Sequence, residues 1–462
     1  MADAMVKPQS LWAPWAWLDG AWAASVLLHV GADGCWDRVE RGVTAPAAAV
    51  VLQGAVLPGL VDAHSHAFQR AFAGLAERFE STDDDFWSWR DRMYGAALRI
   101  TPDELRAIAA QLYLELLRGG YTQVCEFHYL RHQPDGQPYA EPLTLAWAVA
   151  DAAAEVGIGL TLMPAVYERA GFAQPALRVD QRRFTASAAD TIAAARTIAA
   201  SGRPLLNAGL VLHSLRAAGA DAVRQVATTD FDGPIHIHVA EQIAEVEDCL
   251  LATGHRPIGW LAQAGVLDPR WQLVHATHAT RAEIDAVAES GAGVVICPAT
   301  EGNLGDGFCD LPAWLQAGVQ LAIGSDSHAT RDWREELRWL DYGQRLQHRR
   351  RGVAASAAQP ASAERLWTGA LAAGATAAGF TRWGLVEGAR ADLLVTDPQD
   401  DVLRGVPPSR TLDALVYSSP GRAWGDVMVA GRWVLQGGRH AQATAVAERF
   451  QLAMVELSAS GD

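Results

Sequence analysis

The chain has 462 residues, 50% of them apolar, enough to bury a large core without disulfide or metal staples. Its 38 Lys and Arg stand against 53 Asp and Glu, a formal net charge of −15. That balance excludes a general nucleic-acid or membrane-surface binder, and it means that an anionic ligand must be held by a few local cations.

Residues 1–57 hold short apolar stretches separated by turn residues. Trp15-Ala16-Trp17-Leu18 runs into Asp19-Gly20, and the stretch 48–52 runs into Gln53-Gly54, a pattern of strands and hairpin turns. Trp12, Trp15, Trp17, Trp22 and Trp36 fall here and read as a packed β core. The first ten residues lack a basic stretch followed by an apolar one, so no signal peptide is read.

From 58 to 383 the pattern changes to short apolar runs alternating with Ala/Leu-rich segments of helical period. Eight strands are predicted, at 59–66, 122–127, 159–166, 206–213, 234–239, 272–275, 293–297 and 320–324. Thr101-Pro102-Asp103-Glu104 is a capping box with Pro at the first helical position, closed by Gly119-Gly120. Thr280-Arg281-Ala282-Glu283 repeats the box, with Gly291 as the stop. Such alternation predicts a (β/α)8 TIM-like barrel, whose sites lie at the C-terminal strand ends. The stretch from Cys297 to Leu304 reads as loop, Arg349-Arg350-Arg351 as a solvated helix end, and 354–362 as loop.

Strand-and-turn composition returns over 384–462, in Ala391-Asp392-Leu393-Leu394-Val395 and around 426–434. Both chain ends are therefore expected to form one small β-sandwich domain beside the barrel. No run of about 18 apolar residues occurs, so no membrane span is expected. The five cysteines include no CxxC pair and make neither a disulfide framework nor a Cys-type zinc site, which sets the expectation of a cytoplasmic protein.

The chemistry gathers at the strand ends. In His64-Ser65-His66 the alternate residues face the same way, so both imidazoles can reach one metal ion at the end of the first barrel strand. His236-Ile237-His238 ends the fifth strand, with Glu241 just beyond. His275 ends the sixth, and Asp326 follows the eighth. Three imidazoles and one carboxylate suit Zn²⁺ with a position left for water, and Fe²⁺ or Mn²⁺ would also fit. His238 lies nearer the strand end than His236, which is expected one layer down inside the barrel. Lysine occurs only at Lys7, so the barrel holds no Schiff-base, P-loop or metal-bridging lysine.

This constellation resembles the amidohydrolase superfamily, in its mononuclear branch that deaminates small C–N substrates. The likeness covers nearly the whole chain, including Gly388-Ala389-Arg390-Ala391-Asp392-Leu393 of the β-domain. The missing lysine fits, because binuclear branches bridge two metals with a modified lysine. His64-Ser65-His66-Ala67-Phe68-Gln69-Arg70, Glu126-Phe127-His128-Tyr129, His213-Ser214-Leu215-Arg216 and His238-Val239-Ala240-Glu241-Gln242 are similar to the members that act on a linear formimidoyl group carried by a dicarboxylic amino acid. The resemblance implies one metal per chain on His64, His66, His238 and Asp326, and a homodimer. It implies that Asp326 takes the proton of the attacking water, that Glu241 protonates the imino nitrogen, and that His275 polarises the centre or orients the hydroxide, its contact with the metal left open. Two carboxylates call for Arg, which binds them bidentately; Arg216 and Arg90 are the implied pair, with Gln69, Tyr129 and His213 as further polar contacts.

Two other readings stand beside this one. A deaminase of a purine- or pyrimidine-type heterocycle would share the metal chemistry but would have no use for two carboxylate clamps. A non-catalytic scaffold of the same fold would be expected to lose metal ligands, and here the full set is present.

Overall fold

The computed structural model describes residues 6–75, 77, 86–418 and 424–459; the first five residues of the stretch read for a leader lie outside these. Eight parallel strands follow one another in chain order around a barrel: Leu60–Ser65, Tyr121–His128, Gly159–Val166, Leu210–Ser214, Ile235–Val239, Trp271–His275, Gly293–Ile296 and Leu321–Ile323. Every residue in them is buried, as helices on the outside and side chains on the inside require of an all-parallel sheet. The ring closes between the eighth strand and the first, where Asp326 N–H donates to His64 O at 2.9 Å and His66 N–H to Asp326 O at 3.4 Å.

The two expected capping boxes form: Thr101 with Glu104 opens the helix Pro102–Arg118, and Thr280 with Glu283 opens Arg281–Ser290. Gly291 ends the latter in the left-handed conformation (φ 75°) that glycine adopts without Cβ strain. The fourth strand departs from its expected form. It splits into Leu206–Ala208 and Leu210–Ser214 around Gly209, where a Cβ would come within 2.9 Å of Pro234 O and 3.0 Å of Met163 Sδ. The stretch after the seventh strand is not loop but the helix Pro298–Leu304, started by Pro298 and stopped by Gly305 at φ 72°. Two turns are too short for apolar periodicity to reveal. Arg349 ends the helix Trp333–His348 and the arginine run is exposed; the loop before the helix Ser362–Ala377 stops at its first residue.

That last helix plugs the barrel floor. Its final carbonyls lack intrahelical donors, and inward-facing side chains supply them. His236 Nε2–H donates to Ala377 O at 2.8 Å, Thr161 Oγ1 to Ala378 O at 3.3 Å and Asn207 Nδ2 to Ala378 O at 2.8 Å. His236 is thus a floor residue, one layer below the mouth.

The β-domain is built from both chain ends in one mixed sheet. Its strand order is Arg432–Leu435, Asp426–Val429, Leu393–Val395, Val56–Pro58, Gln9–Leu18, Ala21–Val30 and Trp36–Glu40. Asp19 (φ 50°) and Gly20 (φ 78°) form the two-residue hairpin turn between the two long strands. Trp17 and Trp36 are buried, while Trp12, Trp15 and Trp22 are partly covered. Arg390 rivets the sheet to the barrel. It donates to Gln123 Oε1 (2.7 Å) and Thr122 O (3.0 Å) on the second strand, holds Asp392, and lies 4.7 Å over the Trp383 ring. The helices Thr411–Tyr417 and Ala443–Ala459 complete the C-terminal region, which the sequence reads as strand and turn alone.

Candidate active site

The barrel mouth is where the backbone departs from ordinary geometry. Ala240, His275, Ala276, Asp326 and His328 all have positive φ, between 48° and 69°, at the ends of the fifth, sixth and eighth strands. Non-glycine residues in that region cost about 1–3 kcal/mol each and persist where surrounding structure over-determines them.

From the first strand, His64 and His66 point to the axis. His64 Nε2 lies 3.0 Å from His238 Nε2 and 3.4 Å from Asp326 Oδ1, and His66 Nε2 lies 3.3 Å from the same oxygen. His66 Nδ1–H donates to Phe127 O at 2.9 Å, which fixes its tautomer and leaves Nε2 for a ligand. Burial holds His64 and His238 well below the ordinary histidine pKa and His66 at about 3, so all three are neutral and able to coordinate. The ligand atoms of His64, His66 and His238 lie within 4.8 Å of one another, as do those of His64, His275 and Asp326. Convergent neutral imidazoles with a carboxylate form a donor set suited to one divalent ion.

His275 is ringed by carboxylates. Its Nε2 is 3.7 Å from Glu241 Oε1 and 3.8 Å from Asp326 Oδ2, and its Nδ1 is 3.4 Å from Glu301 Oε1. Burial alone would lower its pKa, but Glu241, Glu301 and Asp326 outweigh burial and raise it to about 10. A positive charge, proton or metal, is what three buried carboxylates demand here. Burial raises Glu241 to about 7, with Asp326 and Glu245 adding to the shift while His275 and Arg216 oppose it. A carboxyl group near neutrality can hold a proton and release it at working pH.

Ten of the eleven site residues expected from sequence line one pocket. His66, His238, His275, Glu241 and Asp326 form its base; Gln69, Arg90, Tyr129, His213 and Arg216 form its wall. The eleventh, His64, is fully buried beneath. Gln69 Nε2 donates to Tyr129 OH at 3.0 Å, and the buried Gln69 Oε1 has no hydrogen-bond partner, an acceptor available to a ligand. Arg216 is 8% exposed; burial disfavours its charge, but Glu245 and Glu241 more than restore it. Arg90 lies 5.6 Å over the Tyr94 ring.

Sequence reasoning passed over several residues. Trp89, Met93, Tyr94 and Leu304 also line the pocket. Behind the metal-ligand set, Asp62 accepts from Ser325 N–H (2.8 Å) and Oγ–H (2.6 Å), and Glu126 accepts from Ser65 Oγ (3.0 Å), Ala67 N–H (2.6 Å) and Tyr113 OH (3.1 Å). Asp62 was findable, since it continues the alternation of His64 and His66 on one strand face. Tyr94 and Met93 carried no such signal; they reach the pocket from the helix Phe86–Ala97, far from any strand end.

Comparison with known proteins agrees with this geometry. A profile of the amidohydrolase family matches residues 55–434. The chain is 43% identical over 453 residues to formimidoylglutamate deiminase of Pseudomonas aeruginosa, covering 97% of this chain and 99% of that one. It is 30% identical over 393 residues to 5-methylthioadenosine/S-adenosylhomocysteine deaminase of Halobacterium salinarum, covering 82% of each. The crystal structure of an amidohydrolase from Brucella melitensis superposes with a TM-score of 0.92 at 38% identity, over 97% of this chain and all of that one (100%). Among the described residues, no helix is long and apolar enough to cross a membrane.

Proposed function

The chain belongs to the amidohydrolase family, and within it we propose that this enzyme hydrolyses N-formimidoyl-L-glutamate to N-formyl-L-glutamate and ammonia, a step of histidine degradation. The observation that carries the reading is the pairing, in one pocket, of the metal-ligand cluster with two guanidinium groups, Arg216 and Arg90. A substrate with two carboxylates needs both; a neutral heterocycle needs neither.

His64, His66, His238 and Asp326 hold one Zn²⁺ per chain in this reading, with Fe²⁺ or Mn²⁺ as possible substitutes. When bound, the metal supplies hydroxide at neutral pH by lowering the pKa of water to about 7. Arg216 and Arg90 bind the substrate carboxylates and set the formimidoyl carbon toward the base of the pocket. Gln69, Tyr129 and His213 fix its orientation through hydrogen bonds. Asp326 accepts the proton of the attacking water and passes it to the leaving nitrogen. Glu241 protonates the imino nitrogen, and His275, between Glu241 and Asp326, orients the oxygen nucleophile. The tetrahedral carbon then collapses, the C–N bond breaks, and ammonia leaves.

We also propose domain limits of 1–57 and 384–462 for the β-domain and 58–383 for the barrel, and a cytoplasmic homodimer. The exposed Trp339, Tyr342 and Leu346, on one side of the helix Trp333–His348, support self-association. The functional test is ammonia release by zinc-loaded protein with N-formimidoyl-L-glutamate beside a purine and pyrimidine panel. Turnover of the formimidoyl substrate alone is expected; turnover confined to a heterocycle overturns the reading.

A further inference from the structure

We propose that Glu301 is a positioning residue for His275: by accepting its Nδ1–H it turns Nε2 to face the reacting side of the pocket. The inference rests on the hydrolytic reading above, which places His275 beside the attacking water.

His275 ends the sixth strand with φ 69°, so strand geometry does not set its direction. Its two ring nitrogens look opposite ways. Nε2 faces Glu241 and Asp326 at 3.7 and 3.8 Å, while Nδ1 faces Glu301 Oε1 at 3.4 Å. A ring that donates Nδ1–H to a buried carboxylate cannot flip without abandoning that acceptor, so tautomer and orientation are fixed together. Glu301 is itself well placed to hold still. It is 4% exposed, on the helix Pro298–Leu304 that leaves the neighbouring seventh strand. Its N–H donates to Cys297 O at 2.9 Å, and its Oε1 accepts Cys297 N–H at 3.0 Å.

The Cys297 contact gives Glu301 a second, purely structural task, since a glutamate at the third helical position closes the helix start in the same way. The two tasks have different signatures. Loss of a cap lowers stability and leaves turnover per folded site unchanged. Loss of a positioning contact lowers kcat at unchanged metal content.

The test compares Glu301→Leu and Glu301→Gln with wild type, in zinc-loaded full-length protein, on whichever substrate of the panel the wild type hydrolyses. The panel itself judges the functional reading, whereas the variant ratio judges this one. Glu301→Leu is expected to lower kcat by about 10–100-fold, the usual cost of losing a partner behind an active-site histidine, with KM and metal content held. Glu301→Gln keeps an acceptor and should recover most of the loss. In a His275→Asn background, Glu301→Leu should add nothing, because no imidazole remains to orient. Wild-type kcat in Glu301→Leu, a loss confined to KM or Tm, no recovery with Gln, or an undiminished effect beside His275→Asn each overturns the proposal. Should Glu301→Leu fail to fold, Glu301→Asp decides: it withdraws the carboxylate by one methylene, and an unchanged kcat there overturns the proposal equally.

Discussion

Asp62 and Ser325 lock the first barrel strand to the eighth through two hydrogen bonds to one carboxylate, 2.8 Å from the Ser325 N–H and 2.6 Å from its hydroxyl. Both residues are fully buried, and each lies beside the ligand set: two residues before His64, one before Asp326. Asp62→Ala would strand both Ser325 donors away from water, at a cost of about 1–3 kcal/mol for each unsatisfied group. The expected outcome is a clear drop in the urea midpoint and a metal affinity about 10–100-fold weaker. Equal metal affinity in wild type and variant would show that Asp326 needs no such support.

Metal removal gives the second prediction. Chelation should abolish ammonia release, and one equivalent of zinc per chain should restore it. His238→Ala should fail to retain that equivalent, since its Nε2 is the nitrogen 3.0 Å from His64 Nε2. Elemental analysis checks this; two ions per chain, or full occupancy in His238→Ala, contradicts the proposed ligand set.

Glu241→Gln should keep its metal and lose turnover. The residue is 5% exposed, and its carboxyl is raised by burial to about 7, so it can hold a proton where an ordinary glutamate cannot. General acid–base groups contribute about 10²–10⁴-fold. Retention of wild-type kcat with full metal occupancy would remove Glu241 from the proton path.

Stability should carry a separate acid limb from Glu115. Burial would raise its pKa, but hydrogen bonds and charge from Arg70, with Gln111 and Arg331, lower it below the ordinary value. A depressed folded-state pKa stabilises the fold above the unfolded value and is lost as pH falls through the folded one. The stability gap between wild type and Glu115→Gln, read by urea unfolding, should therefore be full at neutral pH and shrink as pH falls below the ordinary glutamate range. A gap independent of pH would show that Glu115 contributes by packing alone.

The barrel and the base of the site were legible because both follow short-range rules. His64 and His66 announce a shared face by strand alternation, and His238, His275 and Asp326 each end an apolar run. What stayed hidden depends on contacts distant in sequence. Gly209 breaks the fourth strand because Pro234 and Met163 crowd it, which no local pattern records. Glu301 sits on a helix too short to show a period, and Trp89, Met93 and Tyr94 arrive from a helix whose link to the pocket is purely tertiary.

The last prediction concerns specificity. A chain of net charge −15 repels a dianion, so recognition must come from local cations in a partly dehydrated pocket. Arg216, 8% exposed and facing the same pocket as His238 and Glu241, is the better buried of the two guanidinium groups. Truncating one partner of a buried charge pair costs about 2–5 kcal/mol, partly because the other charge is left unpaired. At tenfold per about 1.4 kcal/mol, Arg216→Met should lower kcat/KM for N-formimidoyl-L-glutamate by at least ~30-fold. An analogue lacking the carboxylate that Arg216 contacts has already forfeited the interaction, so the same substitution should cost it far less. The measurement is a cycle of wild type and Arg216→Met against the full substrate and analogues lacking either carboxylate. A smaller loss on one analogue identifies the carboxylate that Arg216 reads. Equal losses on every substrate would mean that Arg216 holds the barrel rim around Glu241 and Glu245 and leaves substrate choice to other groups, and a heterocyclic substrate would then regain its claim on the site.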